Sequence, residues 1–313
     1  MFGVESTSVT GLIEGTYKFV WRVQNLPCYD LSDTIEVSVY DQHTAYAGLD
    51  QSFCAASQTV ITGNSVQGTA ISTWQMGTTT PNIPTVATLG QISTVTGLVP
   101  GGNYEFIWQI ANGVCPLSSD TMTITNLHKP SASYITDRDE ICQTDSVAFF
   151  STSTMVLPES ISSEIWTINS TSYSGSPVSV QFNNSGYYSS QLIVNASNGC
   201  SDTAFIDSVI YVHTNPIADF GTDLLTDNYL SMNVTISDYS SNATSVNYKM
   251  GDGASYNIPN FSHIYKSTGA QNIWQIVSND FGCTDSTMRT IYTEYLSAYI
   301  PNSFTPNSDG LND

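Results

Sequence analysis

The sequence predicts an all-β protein made of tandem β-sandwich repeats, and three observations lead to this fold class. A block of sequence recurs four times at nearly constant spacing. Each copy alternates apolar and polar residues with the period of a β-strand. Val, Ile, Thr, Tyr and Trp dominate the copies, Gly, Asn, Ser and Pro separate them, and no long amphipathic helix stands out.

The repeat is centred on a cysteine in a predicted antiparallel hairpin. In one copy the strand before it carries, on one face, Tyr104, Phe106, Trp108 and Ile110. The cysteine recurs at intervals of 87, 85 and 83 residues, at positions 28, 115, 200 and 283. Asp-Thr or Asp-Ser follows each of them within five residues. Short strands in a unit of this length are typical of an immunoglobulin-like sandwich, whereas an up-and-down barrel needs a longer unit.

The repeat divides the chain into predicted segments that are named here by their order. They are the second half of a repeat at 1–43 (repeat 1), complete repeats at 44–127 (repeat 2), 128–214 (repeat 3) and 215–297 (repeat 4), and the start of a different domain at 298–313. Because the linkers are short, the repeats are expected to form an elongated rod.

The cysteines indicate disulfides within the complete repeats. Repeats 2 and 3 each carry an early and a late cysteine, so the predicted bridges are Cys54–Cys115 and Cys142–Cys200. Cys28 is expected to have lost its partner with the missing half-repeat, and Cys283 to be a free, buried thiol. A metal site is the alternative, but no Cys/His pair at ligand spacing supports it. Disulfides imply an oxidising compartment, the periplasm or the cell exterior.

Composition excludes two classes of partner. The chain has 313 residues, a formal net charge of −20 and only 7 Lys and Arg. Binding of nucleic acid or of an anionic bilayer depends on such cations, so neither partner is expected. Membrane insertion is not expected either, because no apolar run approaches the roughly 20 residues of a membrane span.

Repeat 4 contains the run MGDGASYNIPNFSHIYKSTG, which resembles the polycystic kidney disease (PKD) type of immunoglobulin-like domain. The positions that match the family motif are Gly251, Asp252, Gly253, His263 and Tyr265. The resemblance implies a structural role: a tight Asp-Gly turn and a core tyrosine at a strand corner. Repeat 3 resembles a degenerate PKD-like domain. Repeat 2, with AGLDQSFC and NYEFIWQIANGVC, is similar to repeat modules of large Bacteroidota surface adhesins.

The last residues, AYIPNSFTPNSDGLND, closely resemble the opening of the gliding-motility-associated C-terminal domain, which is similar to a type B sorting signal of type IX secretion. The matching residues are Pro301, Asn302, Phe304, Thr305, Pro306, Asn307, Asp309, Gly310, Asn312 and Asp313. The resemblance implies export across the outer membrane and, as partners, the secretion and surface-attachment machinery. With the repeats, the chain resembles the C-terminal part of a gliding adhesin of the SprB type.

Chemistry-bearing patterns are few. No nucleophile–base motif or phosphate loop is present, and His263 is expected to be a hydrogen-bonded turn residue. No cofactor is expected apart from calcium, for which Asp309 and Asp313 are candidate ligands. An Asx-turn explains the same residues. Trp-bearing strands are expected to pack in the cores, and Trp74 is the predicted exposed aromatic.

The sequence therefore favours a non-enzymatic stalk of a secreted adhesin, acting in gliding motility or surface adhesion. Two alternatives stay open. The repeats are accessory modules of a secreted polysaccharide-degrading enzyme, or they themselves bind carbohydrate. Extracellular polysaccharide or another surface is the expected adhesive partner.

Overall fold

A computed structural model describes residues 6–24, 27, 29–228 and 231–293. In these residues every regular element is a β-strand, which confirms the all-β fold class. The elongated rod stays a prediction. The chain forms two compact units, one from the described residues in 1–133, 153–164 and 193–203, the other from those in 134–152, 165–192 and 204–313.

Repeat 1 is a single hairpin. Its strands are β1 (Gly15–Val23) and β2 (Leu31–Val39), paired antiparallel from Gly15 opposite Val39 to Val23 opposite Leu31. Alternation puts Tyr17 and Phe19 on the half-buried face, but Trp21 remains 46% exposed. Among the described residues, the sheet of this repeat contains β1 and β2 only.

Repeat 2 is a two-sheet sandwich. Its strands are β3 (Gln51–Cys54), β4 (Gln58–Thr62), β5 (Ile71–Thr80), β6 (Thr85–Val86), β7 (Ile92–Thr96), β8 (Gly102–Ala111) and β9 (Ser118–Leu127). One sheet has the order β3-β9-β8-β5, and the other β4-β7-β6. Alternation in β8 buries one face completely, and Trp108 packs against Trp74 with ring centroids 5.0 Å apart. The short β3 runs parallel to the last strand β9, with Cys54 opposite Leu127.

Repeat 3 has the same plan. Its strands are β10 (Tyr134–Thr136), β11 (Glu140–Cys142), β12 (Ser146–Ser151), β13 (Ile161–Ile168), β14 (Thr171–Ser174), β15 (Val178–Gln181), β16 (Gly186–Ala196) and β17 (Ser201–His213). The sheets have the orders β10-β12-β15 and β11-β17-β16-β13-β14. Here β11 is the short parallel strand, with Cys142 opposite His213 at the end of β17.

Repeat 4 completes the series. Its strands are β18 (Phe220–Asn228), β19 (Ser231–Asp238), β20 (Ser245–Lys249), β21 (Ser255–Tyr256), β22 (Asn260–Tyr265), β23 (Gly269–Ser278) and β24 (Thr284–Thr293). Their sheets have the orders β18-β19-β22 and β21-β20-β23-β24. Within the described residues, every sheet takes its strands from one predicted segment, while the segment boundaries themselves stay predictions.

Candidate functional site: the junctions between repeats

The feature that recurs most regularly is the junction, defined here as the end of the last strand of one repeat, the linker, and the late hairpin of the next. At each junction an asparagine of the late hairpin donates its side-chain amide to a backbone carbonyl of the linker. The three bonds are Asn112 to Asp41 (2.9 Å), Asn198 to His128 (2.8 Å) and Asn279 to Thr214 (3.0 Å). The late hairpin of each repeat is therefore fixed to the linker that precedes it.

A second contact uses the aspartate that marks each copy of the repeat. Its carboxylate accepts a hydrogen bond from the backbone amide of an alanine after the linker. The pairs are Asp120 with Ala47 (2.8 Å), Asp202 with Ala132 (2.9 Å) and Asp285 with Ala218 (2.8 Å). Bonds of this kind to an ionised acceptor are about twice as strong as neutral ones. The Asp-Thr or Asp-Ser motif thus holds the first segment of its repeat in place.

Asp202 shows the electrostatic consequence. Burial acts to raise the pKa of its carboxyl group, but the Ala132 amide and the ammonium group of Lys129 outweigh burial, so the pKa is lowered. Lys129 Nζ lies 2.6 Å from Asp202 Oδ1. The carboxylate is therefore kept ionised at the junction between repeats 2 and 3.

The third contact is covalent. Cys54 of repeat 2 is bonded to Cys200 of repeat 3, with the Cα atoms 5.7 Å apart. Cys142 of repeat 3 is bonded to Cys283 of repeat 4, with the Cα atoms 5.5 Å apart. Both bridges join an early cysteine to the late cysteine of the following repeat. Each of these two junctions thus has two covalent connections, the linker and the disulfide.

The predicted pairings were therefore wrong. Cys54–Cys115 and Cys142–Cys200 are not bonded, Cys115 is a free thiol, and Cys283, expected to be free, is bridged. The reason is the direction of the last strand. In repeat 2, Cys115 precedes the start of β9 and Cys54 lies opposite its end. A ten-residue strand spans roughly 33 Å, far beyond the Cα separation of a disulfide.

The junction between repeats 3 and 4 also carries an aromatic cluster. The ring of His213 stacks on Phe281 with centroids 3.8 Å apart, and its edge contacts Tyr211 at 4.6 Å. His213 Nε2 lies 3.0 Å from the Glu140 carboxylate. Glu140, His213 and Phe281 line a small cavity together with Cys142 of the Cys142–Cys283 bridge.

The PKD motif residues form a compact turn in repeat 4. Gly251 leaves no room for a side chain, because a Cβ there would lie 2.5 Å from Gln271 Oε1, and Gly253 has a φ of 94°. His263 is buried, with Nε2 2.9 Å from Asp252 Oδ2 and Nδ1 2.9 Å from the Tyr256 hydroxyl. The turn therefore has the hydrogen-bonded form that its structural role requires.

Two pKa values in this turn are shifted. Burial acts to raise the pKa of Asp252, but the Ala254 amide and the contact with His263 outweigh it, so the pKa is lowered. Burial raises the pKa of Tyr265 to about 12. His263 and Tyr256 have their ring polar atoms engaged within the turn, which favours a structural rather than a catalytic role.

The tryptophans are placed only partly as expected. Trp108 and Trp166 are fully buried, but Trp21 and Trp274 are each 46% exposed. Trp74, the predicted exposed aromatic, is 1% exposed and pairs across the sheet with Trp108. Its polar neighbours in sequence gave the wrong indication, because the cross-strand partner lies far away in the chain.

The sorting motif, the candidate calcium ligands Asp309 and Asp313, and Cys28 lie outside the described residues. Within the described part of the chain, no group of three or more His, Cys, Asp and Glu side chains is placed to hold a metal ion. That part also contains no helix long and apolar enough to cross a membrane.

The junction asparagines were missed by the sequence reasoning. A signal existed, because each copy has an asparagine two to four residues before its late cysteine, in ANGVC, SNGC and SNDFGC. The junction aspartates were recognised as repeat markers, but it was not predicted that they accept hydrogen bonds from the alanine amides after the linkers.

Comparisons with known proteins find similarity to PKD domains over one part of the chain. The PKD domain family matches residues 213–293. The PKD1 domain of the Vibrio cholerae metalloprotease PrtV is 25% identical, over 26% of this chain and 98% of that chain, with a TM-score of 0.22. The PKD1 domain of Vibrio anguillarum Epp is 29% identical, over 26% and 95%, with a TM-score of 0.23.

A structure from a bacterial ice-binding adhesin is 13% identical, over 80% of this chain and 98% of that chain, with a TM-score of 0.34. No curated protein matches the chain. The PKD match and the disulfides indicate a surface or secreted protein. Residues 213–293 are thus similar to PKD domains, and the described part of the chain is an all-β repeat protein.

Proposed function

We propose that this chain is a non-enzymatic stalk of a cell-surface adhesin, which holds a distal adhesive region away from the cell and acts in gliding motility. The observation that carries the proposal is the pair of disulfides between successive repeats. Immunoglobulin-like and PKD-like domains are typically non-catalytic. A stalk has to transmit force without lengthening, and the covalent connections of this chain suit that task.

The two disulfides are interleaved along the chain, which makes them redundant under load. The loop closed by Cys54 and Cys200 contains Cys142, and the loop closed by Cys142 and Cys283 contains Cys200. If all sandwiches unfold, only residues 142–200 remain in the shortest covalent path from Cys54 to Cys283. That segment spans roughly 200 Å when fully extended.

Removal of one disulfide leaves the other in the load path. Without Cys54–Cys200 the path between the same two residues runs through 54–142, roughly 310 Å, and without Cys142–Cys283 it runs through 200–283, roughly 290 Å. Without both, it runs through 54–283, roughly 800 Å. Either bridge alone therefore prevents most of the lengthening.

Single-molecule force spectroscopy on the chain, held at its two ends, measures these lengths directly. The four proteins are the parent, Cys54→Ser/Cys200→Ser, Cys142→Ser/Cys283→Ser and the quadruple variant. We expect the single-bridge variants to lengthen by about 100 Å relative to the parent and the quadruple variant by about 600 Å. Equal lengths in all four proteins would overturn the force-bearing role.

A glycan-binding measurement distinguishes the stalk hypothesis from the alternative that the repeats are carbohydrate-binding modules. The described repeats are expected to bind no glycan on a glycan array at micromolar protein concentration, since adhesion belongs to the distal region. Specific binding of a polysaccharide by residues 44–297 would overturn the stalk proposal in favour of a binding module. The outcome of the force measurement does not depend on the outcome of the glycan array, so each tests the stalk proposal separately.

We further propose export by type IX secretion and attachment at the cell surface, with that machinery as the partner and extracellular polysaccharide or another surface as the target of the whole adhesin. The support is the resemblance of residues 298–313 to the sorting-domain opening. Surface labelling of the chain in a gliding bacterium, with and without a functional type IX machinery, tests it. Surface exposure in both strains, or in neither, contradicts this route.

A further inference from the structure

The hairpin of repeat 1 exposes a surface that is covered in repeat 2. When repeats 1 and 2 are aligned on the linker residues that follow their last strands, β1 corresponds to β8 and β2 corresponds to β9. Trp21 is 46% exposed where Trp108 is fully buried, and Ile35 is 62% exposed where Met122 is 1% exposed. In repeat 2 the strands that cover this face belong to its leading half, residues 44–96, and among them Ile61 of β4 and Val95 of β7 are fully buried in the same core.

Among the described residues, the backbone edge next to this surface also lacks the short parallel strand that repeats 2 and 3 have beside their last strands. In repeat 2 the amide after Cys54 donates to the Leu127 carbonyl at the end of the last strand (3.0 Å). In repeat 3 the amide after Cys142 donates to the His213 carbonyl (3.0 Å). The corresponding residue of repeat 1 is Tyr40, since the next carbonyl of each linker accepts the junction asparagine.

The Tyr40 carbonyl is contacted instead by the thiol of Cys115, with Sγ 3.7 Å from the oxygen. Cys115 is the late cysteine of repeat 2, and its counterparts Cys200 and Cys283 both bond the early cysteine that sits beside this carbonyl. The asparagine and aspartate contacts of the first junction match those of the other two. The first junction therefore shares the asparagine and aspartate contacts of the other two, while the early cysteine and its strand are not among its described residues.

We propose that the exposed face of β1 and β2 takes the leading half of an immunoglobulin-like repeat, joined in cis ahead of Gly11, and that Cys115 forms an inter-repeat disulfide with the early cysteine of that segment. The partner is defined by its chemistry: strands with the alternation of residues 44–96, and a cysteine where Cys54 lies. This inference does not depend on the stalk function.

The bond forms between two thiols, Cys115 Sγ and the incoming Sγ. Each sulfur loses a proton, and the pair loses two electrons to a disulfide oxidant, whose own S–S bond is reduced to two thiols. Oxidised glutathione serves as that oxidant in the experiment.

The chain itself provides the segment for the test. Residues 44–96, which contain Cys54, are joined directly to residues 11–293, and Cys28→Ser is introduced into both this fusion and the parent. The parent is expected to have one alkylatable thiol, Cys115, because the other cysteines are bridged. In the fusion we expect none, together with a cross-linked peptide joining Cys115 to the Cys54 of the added segment.

Hydrogen exchange of the amides of Leu31–Val39 measures the covering of the hairpin separately from the bond. These amides are expected to exchange at least tenfold more slowly in the fusion, because β2 gains a parallel neighbour and its apolar face leaves water. The matched control carries Cys54→Ser in the added segment only. It is expected to retain the slow exchange and to regain one alkylatable thiol.

Two results overturn the proposal. If amide exchange is slowed in the fusion but the Cys115 thiol is still fully alkylated, the proposed disulfide does not form. If the Leu31–Val39 amides exchange as fast in the fusion as in the parent, residues 44–96 are also supplied as a separate polypeptide. Failure of that polypeptide to slow the exchange contradicts the proposal that the face of β1 and β2 binds a leading half-repeat. The second measurement removes the case in which the fusion simply misfolds.

Discussion

Repeats 2 and 4 share one fold but fill the same core position differently. Four residues before the junction asparagine, repeat 2 has Trp108 and repeat 4 has Gln275, and both are fully buried. Trp108 packs against Trp74 and donates its indole N–H to Asn64 Oδ1 at 3.0 Å. Repeat 2 therefore centres its core on a pair of tryptophan rings tilted by 47° to each other.

Repeat 4 replaces that ring with a hydrogen-bond network. Gln275 Nε2 donates to Asp238 Oδ1 at 2.7 Å and to the Tyr248 hydroxyl oxygen at 2.9 Å, with Ser240 Oγ at 2.8 Å. Burial, reinforced by the Asp238 carboxylate, raises the pKa of Tyr248 far above its usual range. In both repeats the central position is filled, in repeat 2 by apolar volume and in repeat 4 by a side chain whose amide nitrogen is hydrogen-bonded while its Oε1 has no partner among the described residues.

Trp108→Ala is expected to have the largest effect. Removal of a buried tryptophan ring leaves a cavity and costs about 3–5 kcal/mol of local stability. Hydrogen exchange of the β8 and β9 amides in the full chain measures this loss, with the β23 and β24 amides as an internal reference. Equal loss of protection in both repeats would show that they unfold as one unit.

Trp274→Ala is the matched control, because it removes the same atoms from a ring that is 46% exposed. It is expected to cost less than about 1 kcal/mol. A cost as large as that of Trp108→Ala would contradict the assignment of the two faces of β23.

Gln275→Leu is expected to have the second largest effect. Leucine preserves most of the volume but leaves Asp238 and the Tyr248 hydroxyl without their buried donor, which costs about 1–3 kcal/mol. Exchange of the β20 and β23 amides reports it. Gln109→Leu, on the opposite face of β8 from Trp108, changes the same atoms at a half-buried site and is expected to be nearly neutral.

The difference between Trp108 and Trp274 shows what strand alternation predicts and what it misses. Alternation correctly identified the buried face of β8. In repeat 4 the tryptophan stands five residues before the junction asparagine instead of four. Because side chains alternate with a period of two, this offset puts Trp274 on the outer face. Composition alone does not reveal such an offset.

The predictions for the disulfides and for Trp74 were wrong for a related reason. An early and a late cysteine occur in repeats 2 and 3, so the sequence pattern does not show whether they pair within a repeat or with a neighbour. The ends of the strands distinguish the two arrangements. The PKD turn could be recognised because its contacts are local: Asp252 accepts a hydrogen bond from the Ala254 amide and contacts His263, eleven residues away. Local chemistry could be predicted, but contacts across junctions require the three-dimensional arrangement.

The smallest predicted effect concerns pH, and it applies to repeat 4 because its turn depends on an ionised Asp252. The pKa of this carboxyl group is below its ordinary value of 3.8 in the folded protein. The stability that the carboxylate contributes is therefore complete above the ordinary value and is lost as the pH falls through the folded value. Asp252→Asn removes this dependence, and repeat 4 of the variant is expected to lose less stability than the parent between about pH 6 and about pH 3.

Urea titration with exchange of the β22 amides measures the difference, and repeat 2, which lacks the turn, is the reference. Equal losses in parent and variant would assign the acid sensitivity to other carboxylates, such as Asp238 in the Gln275 network.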